Sequence, residues 1–215
     1  MNIQWLGHSA FRLVESTGTT IITDPYDGSM VGYDLPSGLT ADIVTVSHEH
    51  DDHNFLQAVQ GNPMVINQEG AFEINGVHIT SMKSFHDHHC GDRRGGNLIF
   101  KFRMDGVDIC HLGDIGEACS IDICSQIGSV DILLIPVGGT YTIDAETAKE
   151  FVELLMPDIV IPMHYRTKDC EMDIDKLDSF LKLFDEEQIV YANEVIDFDR
   201  TDFDGEHTQI YVLNK

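Results

Sequence analysis

The chain has 215 residues, 42% of them hydrophobic, enough to bury a sizeable core. Its 37 acidic residues against 13 lysines and arginines leave a net charge of −24, which repels phosphate backbones and argues against nucleic acid as a partner. No apolar run approaches the ~20 residues that span a bilayer, and the opening MNIQWLGHSAF has neither region of a signal peptide. No membrane insertion and a cytoplasmic location are therefore expected, with a homo-oligomer left open. The five cysteines are odd in number and form no CxxC pair, which predicts reduced thiols; Cys110, in an apolar run, reads as a small core residue.

Turn signals recur about every ten residues, as many short strands require. Strands are predicted over 3–6, 10–14 and 19–23, with turns at Gly7-His8 and Ser16-Thr17-Gly18. An apolar run over 43–47 stops at a polar cluster, and strands follow over 64–67, 77–82, 98–102 and 107–111. The second half alternates. A helix over 117–127 precedes a wholly apolar strand over 132–136. Asp144 is the expected N-cap of a helix that ends before Pro157. A buried strand over 159–162 leads to an amphipathic stretch over 173–184, with Ile174, Leu177, Leu181 and Phe184 on one face. Strands over 189–191, 195–198 and 208–213 close the chain. No linker or repeat interrupts it, so one domain over 1–215 is expected, a layered α/β protein with helices on sheet faces. The pattern leaves open whether there are one or two sheets.

The most informative segment is Ser47-His48-Glu49-His50-Asp51-Asp52-His53, directly after a strand. So many imidazoles and carboxylates in six residues are costly to place except around cations, and they suit Zn, Mn or Fe. In extended chain His48 and His50 point the same way and can grip one ion. If the chain then turns into a helix, Asp52 and His53 are aimed elsewhere, at a second ion. Three other strand ends carry ligand types: His86-Asp87-His88-His89, His111-Leu112-Gly113-Asp114 and Met163-His164. Gly113 permits a sharp turn that presents Asp114. Jointly these read as one polynuclear site at one edge of the sheets.

The order HxHxDH, then His, then GD, then a late strand ending in His resembles the metallo-β-lactamase superfamily. WLGHSAF, TDPY at 23–26, FHD at 85–87, RGGN at 94–97, HLGD, LLIPVGGTYTIDA and IPMHY are similar to its small ascorbate-6-phosphate lactonase and N-acyl-phosphatidylethanolamine phospholipase D branch. The resemblance covers nearly the whole chain. It implies a four-layer αββα sandwich, two mixed sheets face to face with helices outside. It implies that His48, His50 and His86 hold one divalent ion, that Asp52, His53 and His164 hold a second, and that Asp114 bridges them. Zn2+ is the first expectation, with Mn2+ and Fe2+ the other candidates. His88 and His89 compete with His86; motif position favours His86. His111 reads as a strand residue or as a partner behind the ligands. His8 is placed near the site, and Asp24 either fixes a ligand imidazole or caps the turn at Pro25. Relatives often carry histidine at the place of Glu117. His78 and His207 read as surface strand residues.

The implied activity is metal-dependent hydrolysis. A metal-bridging hydroxide would cleave an ester, lactone or phosphodiester bond of a small-molecule substrate, with Asp52, His53 and Asp114 at the catalytic centre. No GxSxG nucleophile elbow is present. Gly138, Gly139, Thr140 and Tyr141 follow a buried strand and are candidates for the pocket wall. β-Lactam hydrolysis is disfavoured, because those enzymes commonly carry cysteine where Asp114 stands. The alternatives are an iron-dependent oxidoreductase or sulfur dioxygenase on the same fold, and a non-catalytic metal-binding sensor.

Overall fold

Alternating apolar residues in the first third of the chain build a sheet with two buried faces. The computed structural model describes residues 1–203, 205 and 207–214. Its strands run β1 (Asn2–Gly7), β2 (Ala10–Val14), β3 (Thr20–Thr23), β4 (Leu39–Thr40), β5 (Ile43–Thr45), β6 (Val59–Gln60), β7 (Met64–Ile66) and β8 (Gly70–Ile74). They continue as β9 (Val77–Phe85), β10 (Gly96–Met104), β11 (Val107–His111), β12 (Ile132–Pro136), β13 (Ile159–Met163), β14 (Ile189–Ala192), β15 (Val195–Asp197) and β16 (Gln209–Leu213). The helices are α1 (Gly28–Val31), α2 (Ile121–Ile127), α3 (Ala145–Leu155) and α4 (Asp178–Leu181).

One sheet has the order β15-β1-β2-β3-β5-β7, the other β14-β16-β13-β12-β11-β10-β9-β8, and β4 pairs with β6. Both large sheets mix parallel and antiparallel pairs. In the first, Ile3, Phe11, Leu13, Ile21 and Ile43 join a core shared with Phe100, Ile109 and Leu133 of the second. Their sequence neighbours Ala10, Ile22 and Val44 enter a separate cluster on the opposite face. The period of two in side-chain direction produces that division. β12 and β13 are buried at every position, as parallel strands covered on both faces must be. α3 packs on β12 between α2 and α4. The outer face of the first sheet is covered more thinly, by α1, by β4 with Leu39, by β6 and by the loop that carries Tyr26. The four-layer αββα arrangement implied by the sequence resemblance is thus present. Among the described residues no helix is long and apolar enough to cross a membrane.

Several sequence expectations are corrected. The helix expected over 117–127 starts at Ile121, because the Ser120 hydroxyl caps it by accepting from Ile123 N at 3.3 Å. Glu117 instead accepts a hydrogen bond from Phe85 N at 3.1 Å. The amphipathic stretch over 173–184 holds only the one-turn α4. Asp175 N donates to Gly138 O and Asp175 O accepts from Arg166 N, both at 2.7 Å, which withdraws this backbone from a helical ladder. Residues 47–50 are bends, not extended chain, and no helix follows at 51–53. His53 N and Asn54 N both bond His50 O at 2.9 Å, folding the motif into a tight turn. The strands over 77–82 and 98–102 lengthen into β9 and β10, and the half-exposed edge strand β8 is additional. Asp144 does cap α3, accepting from Thr147 N at 2.9 Å. All five cysteines are free thiols, and Cys110 is fully buried.

Candidate metal centre

The pairing pattern brings six strand ends to one place. β1 and β3 both run antiparallel to β2, and β5 runs parallel to β3. β9 and β11 both run antiparallel to β10, and β12 and β13 continue parallel to β11. The carboxyl ends of β1, β3 and β5 therefore share one edge, as do those of β9, β11 and β13. Beyond them lie His8, Asp24, the 47–53 turn, His86, Asp114 and His164. Ligands collect in such crevices because loops there can vary while the strands hold them rigidly.

Asp114 is the focus, at 1% exposure. Its carboxylate lies 3.1 Å from His53 Nε2, 3.2 Å from His164 Nε2, 3.5 Å from His86 Nε2 and 3.9 Å from His48 Nε2. Around it, donor atoms fall into three overlapping groups: His48, His50 and His86; His8, Asp52, His53 and His164; and His48, His53 and Asp114. Asp114 is held by its own N–H, which donates to Asn97 Oδ1 at 2.9 Å, and Asn97 Nδ2 is anchored on Ser84 Oγ and Leu112 O.

Behind the imidazoles, Asp24 sets their protonation. Fully buried, it accepts from Ser47 N at 2.7 Å, from Ser47 Oγ at 2.6 Å and from His53 Nδ1 at 2.8 Å. With the Ser47 hydroxyl proton committed to Asp24, the 3.0 Å contact between Ser47 Oγ and His48 Nδ1 leaves histidine as donor. Both Nδ1 atoms thus carry protons that point away from Asp114, and both Nε2 atoms face it. The backbone is strained at the same points. His8, Asp24 and His164 have φ of +50°, +40° and +51°, left-handed values that the surrounding hydrogen bonds enforce. His8 O, for instance, accepts from both His164 N and Trp5 Nε1.

The other residues singled out from sequence are placed as follows. His88 and His89 are exposed and belong to none of the donor groups. His111 uses both ring nitrogens elsewhere: Nδ1 accepts from Gly113 N at 3.1 Å and Nε2 donates to Ser9 O at 2.8 Å, tying β11 to the turn after β1. His8 faces Asp52, Nε2 to Oδ2 at 3.3 Å. His78 is exposed on β9, and His207 is exposed and precedes β16. Tyr141 lines the cleft over the cluster, whereas Gly138 lies behind it. A Cβ on Gly138 would lie 2.1 Å from His164 O, and one on Gly116 2.5 Å from His86 O. Only hydrogen fits there, so these glycines let two histidine-bearing segments close on the site. Their role was missed from sequence, where a glycine before a turn carries no such signal. Asp24 was legible only as one of two alternatives.

The electrostatics favour cations. Burial pushes the His48 imidazole down to about 3, and burial with His164 nearby pushes His8 down to about 4. Burial opposes charge on His53 too, but Asp114 and Asp52 outweigh it and hold its proton well above the usual range. Burial alone would raise Asp52 and Asp114; His53 beside the first, and His164 and His53 beside the second, hold both carboxyls low. This field stabilises positive charge at the centre. His48 Nε2, His53 Nε2, His164 Nε2 and Asp114 Oδ1 are buried without a hydrogen-bond partner. A cation among these buried, unpartnered atoms would satisfy them together, so the donor set fits a metal ion. The cluster opens to a cleft of about 730 Å3 lined by His50, Asp52, His86, Arg94 and Tyr141.

Fold and site together define a protein with a buried histidine–carboxylate centre, suited to metal ions, at one edge of an αββα sandwich. A family profile, the Beta-lactamase superfamily domain, matches residues 2–164. A protein from Carboxydothermus hydrogenoformans named UPF0173 metal-dependent hydrolase is 32% identical over 78% of this chain and 85% of its own. A crystal structure from Thermotoga maritima, assigned as a Zn-dependent hydrolase of the metallo-β-lactamase superfamily, superposes with a TM-score of 0.80. It is 38% identical, covering 99% of this chain and 97% of that one. The chain belongs to this superfamily, among its metal-dependent hydrolases. CmlA, a diiron β-hydroxylase from Streptomyces venezuelae, shares the fold alone, at 16% identity over 76% of this chain and 44% of that one, with a TM-score of 0.56.

Proposed function

We propose that the protein is a dinuclear metallohydrolase that cleaves an ester, lactone or phosphodiester bond of a small substrate. The observation that carries this reading is the buried Asp114 carboxylate facing imidazole nitrogens from both donor groups, His48 and His86 on one side, His53 and His164 on the other. His48, His50 and His86 would hold one ion, Asp52, His53 and His164 the other, and Asp114 both. The neutral imidazoles suit Zn2+, in line with the assignment of the Thermotoga maritima protein. Bound cations supply Lewis acidity and acidify the attacking water towards neutral pH.

The chain's own groups do the rest. Asp24 keeps the His48 and His53 lone pairs aimed inward. Asp52 borders the cleft and orients the attacking water while its Oδ2 stays on His8. Burial of His86 and His164 keeps bulk solvent from competing for them, whereas His50 is exposed at the cleft. The test is metal analysis followed by assay of Asp52→Ala and His53→Ala on a panel of lactones, aryl esters and phosphodiesters. Two bound ions and a loss of at least about a hundredfold in each variant are expected. Variants that match the wild type would refute the hydrolase reading.

A further inference from the structure

Among the described residues that line the cleft over the histidine cluster, Arg94 is the one lysine or arginine. The acidic side chains there are Glu49, Asp51, Asp52, Asp114, Glu171 and Asp173. Arg94 is half-buried and makes no ion pair among the described residues, although carboxylates surround the cleft. Its Nη1 donates to Tyr141 O at 2.9 Å, and its guanidinium lies 5.1 Å over the Tyr141 ring. One face and one donor are thereby used, and the rest of the five-donor fork is free.

The segment that carries Arg94 is fixed to the site. His86 N donates to Gly95 O at 3.1 Å, closing the loop 86–95. Asp87, next to His86, accepts from the backbone N–H groups of His89, Gly91, Arg93 and Arg94 at 2.7–3.1 Å. A single carboxylate therefore fixes the backbone of Arg94 relative to a candidate metal ligand. Arg94 also lines a smaller cleft, about 250 Å3, with His86, Asp87, His88, His89 and Arg93. Two arginines, Arg93 and Arg94, thus lie at one flank of the site in an otherwise acidic protein.

Resting on the hydrolase reading above, we propose that Arg94 is a substrate-binding residue that receives an anionic group, a carboxylate or a phosphate, beside the bond to be cleaved. A guanidinium matches either oxyanion with two parallel hydrogen bonds. The acidic rim formed by Glu49, Asp51, Glu171 and Asp173 repels the same group everywhere else, so the anion enters in one orientation. Tyr141 holds the fork in place before substrate arrives, which lowers the entropic cost of binding.

The test is calorimetric titration of metal-loaded wild type, Arg94→Gln and Arg94→Lys with phenylphosphonate, benzoate and the neutral benzamide. Metal content and melting temperature of each variant report its folding. Arg94→Gln is expected to weaken one or both anions by at least about tenfold while the benzamide affinity holds. Arg94→Lys should recover part of the loss, since it restores the charge without the fork. Which anion responds separates phosphate from carboxylate. Equal anion affinity in Arg94→Gln, or equal losses for anions and benzamide, overturns the proposal. The titration needs no turnover, so it stands even if no ester, lactone or phosphodiester is cleaved. Conversely, turnover with unchanged anion affinity keeps the hydrolase reading and removes this one.

Discussion

At the scale of single residues, Asp24 shows how one carboxylate governs two donor groups. It reaches His53 directly and His48 through Ser47. Asp24→Ala would leave Ser47 N, the Ser47 hydroxyl and the His53 Nδ1–H without their present acceptor, at about 1–3 kcal/mol for each buried group. Asp24→Asn keeps the volume but replaces the acceptor pair, and it should lower metal affinity by roughly 10–100-fold. Competition with a chelator measures this; unchanged affinity would show that the tautomers are set elsewhere. The same residues give the metal-free protein a pH optimum. Burial lowers His8, His48, His86 and His111 below 6.5 in the folded state. As pH falls below about 6.5 the unfolded chain binds protons that the native state refuses, so stability drops. His53 is raised, and its contribution is complete below about 6.5 and lost as pH rises above it. Urea unfolding of chelated protein should therefore show greatest stability near pH 6.5, lower at both 5 and 8. A monotonic profile would contradict these assignments.

At the scale of elements, the sequence marked strand ends better than it marked the loops between them. That His48, His50, Asp52, His53, His86, Asp114 and His164 come together was legible from ligand types repeating at the close of apolar runs, with motif position in the resemblance selecting His86 over His88 and His89. That the 47–53 segment turns back on His50 O was not legible, since period-two reasoning assumes a pairing partner and residues 47–50 have left the ladder. The helix expected over 173–184 failed for a similar reason. Its apolar spacing is real, with Ile174 and Phe180 buried, but long-range bonds from Asp175 to Gly138 and Arg166 override local periodicity. Those bonds belong to the wall behind the site, where Gly138 lies against His164. Gly138→Ala must push the His164 carbonyl away, so it should cost roughly 1–3 kcal/mol and loosen the end of β13. The expected signature is reduced metal occupancy together with a lower melting temperature. A variant with full occupancy and wild-type melting would mean that this contact is readily relieved.

At the scale of the molecule, the proposed metal ligands come from both sheets. His48, His50, Asp52 and His53 follow β5 of one; His86, Asp114 and His164 follow β9, β11 and β13 of the other. Bound cations would therefore cross-link the two sheets at one edge, and they would bind the native state only. Ligand held at about a thousand times its dissociation constant stabilises by about 4 kcal/mol, or roughly 10 °C in a domain of this size. Chelation should lower the melting temperature by that order. The net charge of −24 adds a second, separable effect. Repulsion among surface carboxylates is screened by salt over about 10 Å at 0.1 M, whereas a buried carboxylate such as Asp114 is screened far less. Sodium chloride raised from 0.05 to 1 M should therefore lift the melting temperature of metal-loaded and chelated protein alike by a few degrees, roughly 3 °C per kcal/mol of relieved repulsion. The gap between the two forms should persist. Parallel thermal melts across the salt range decide this: a gap that closes in molar salt would mean the cations act by diffuse neutralisation of the surface and not by joining the sheets at Asp114.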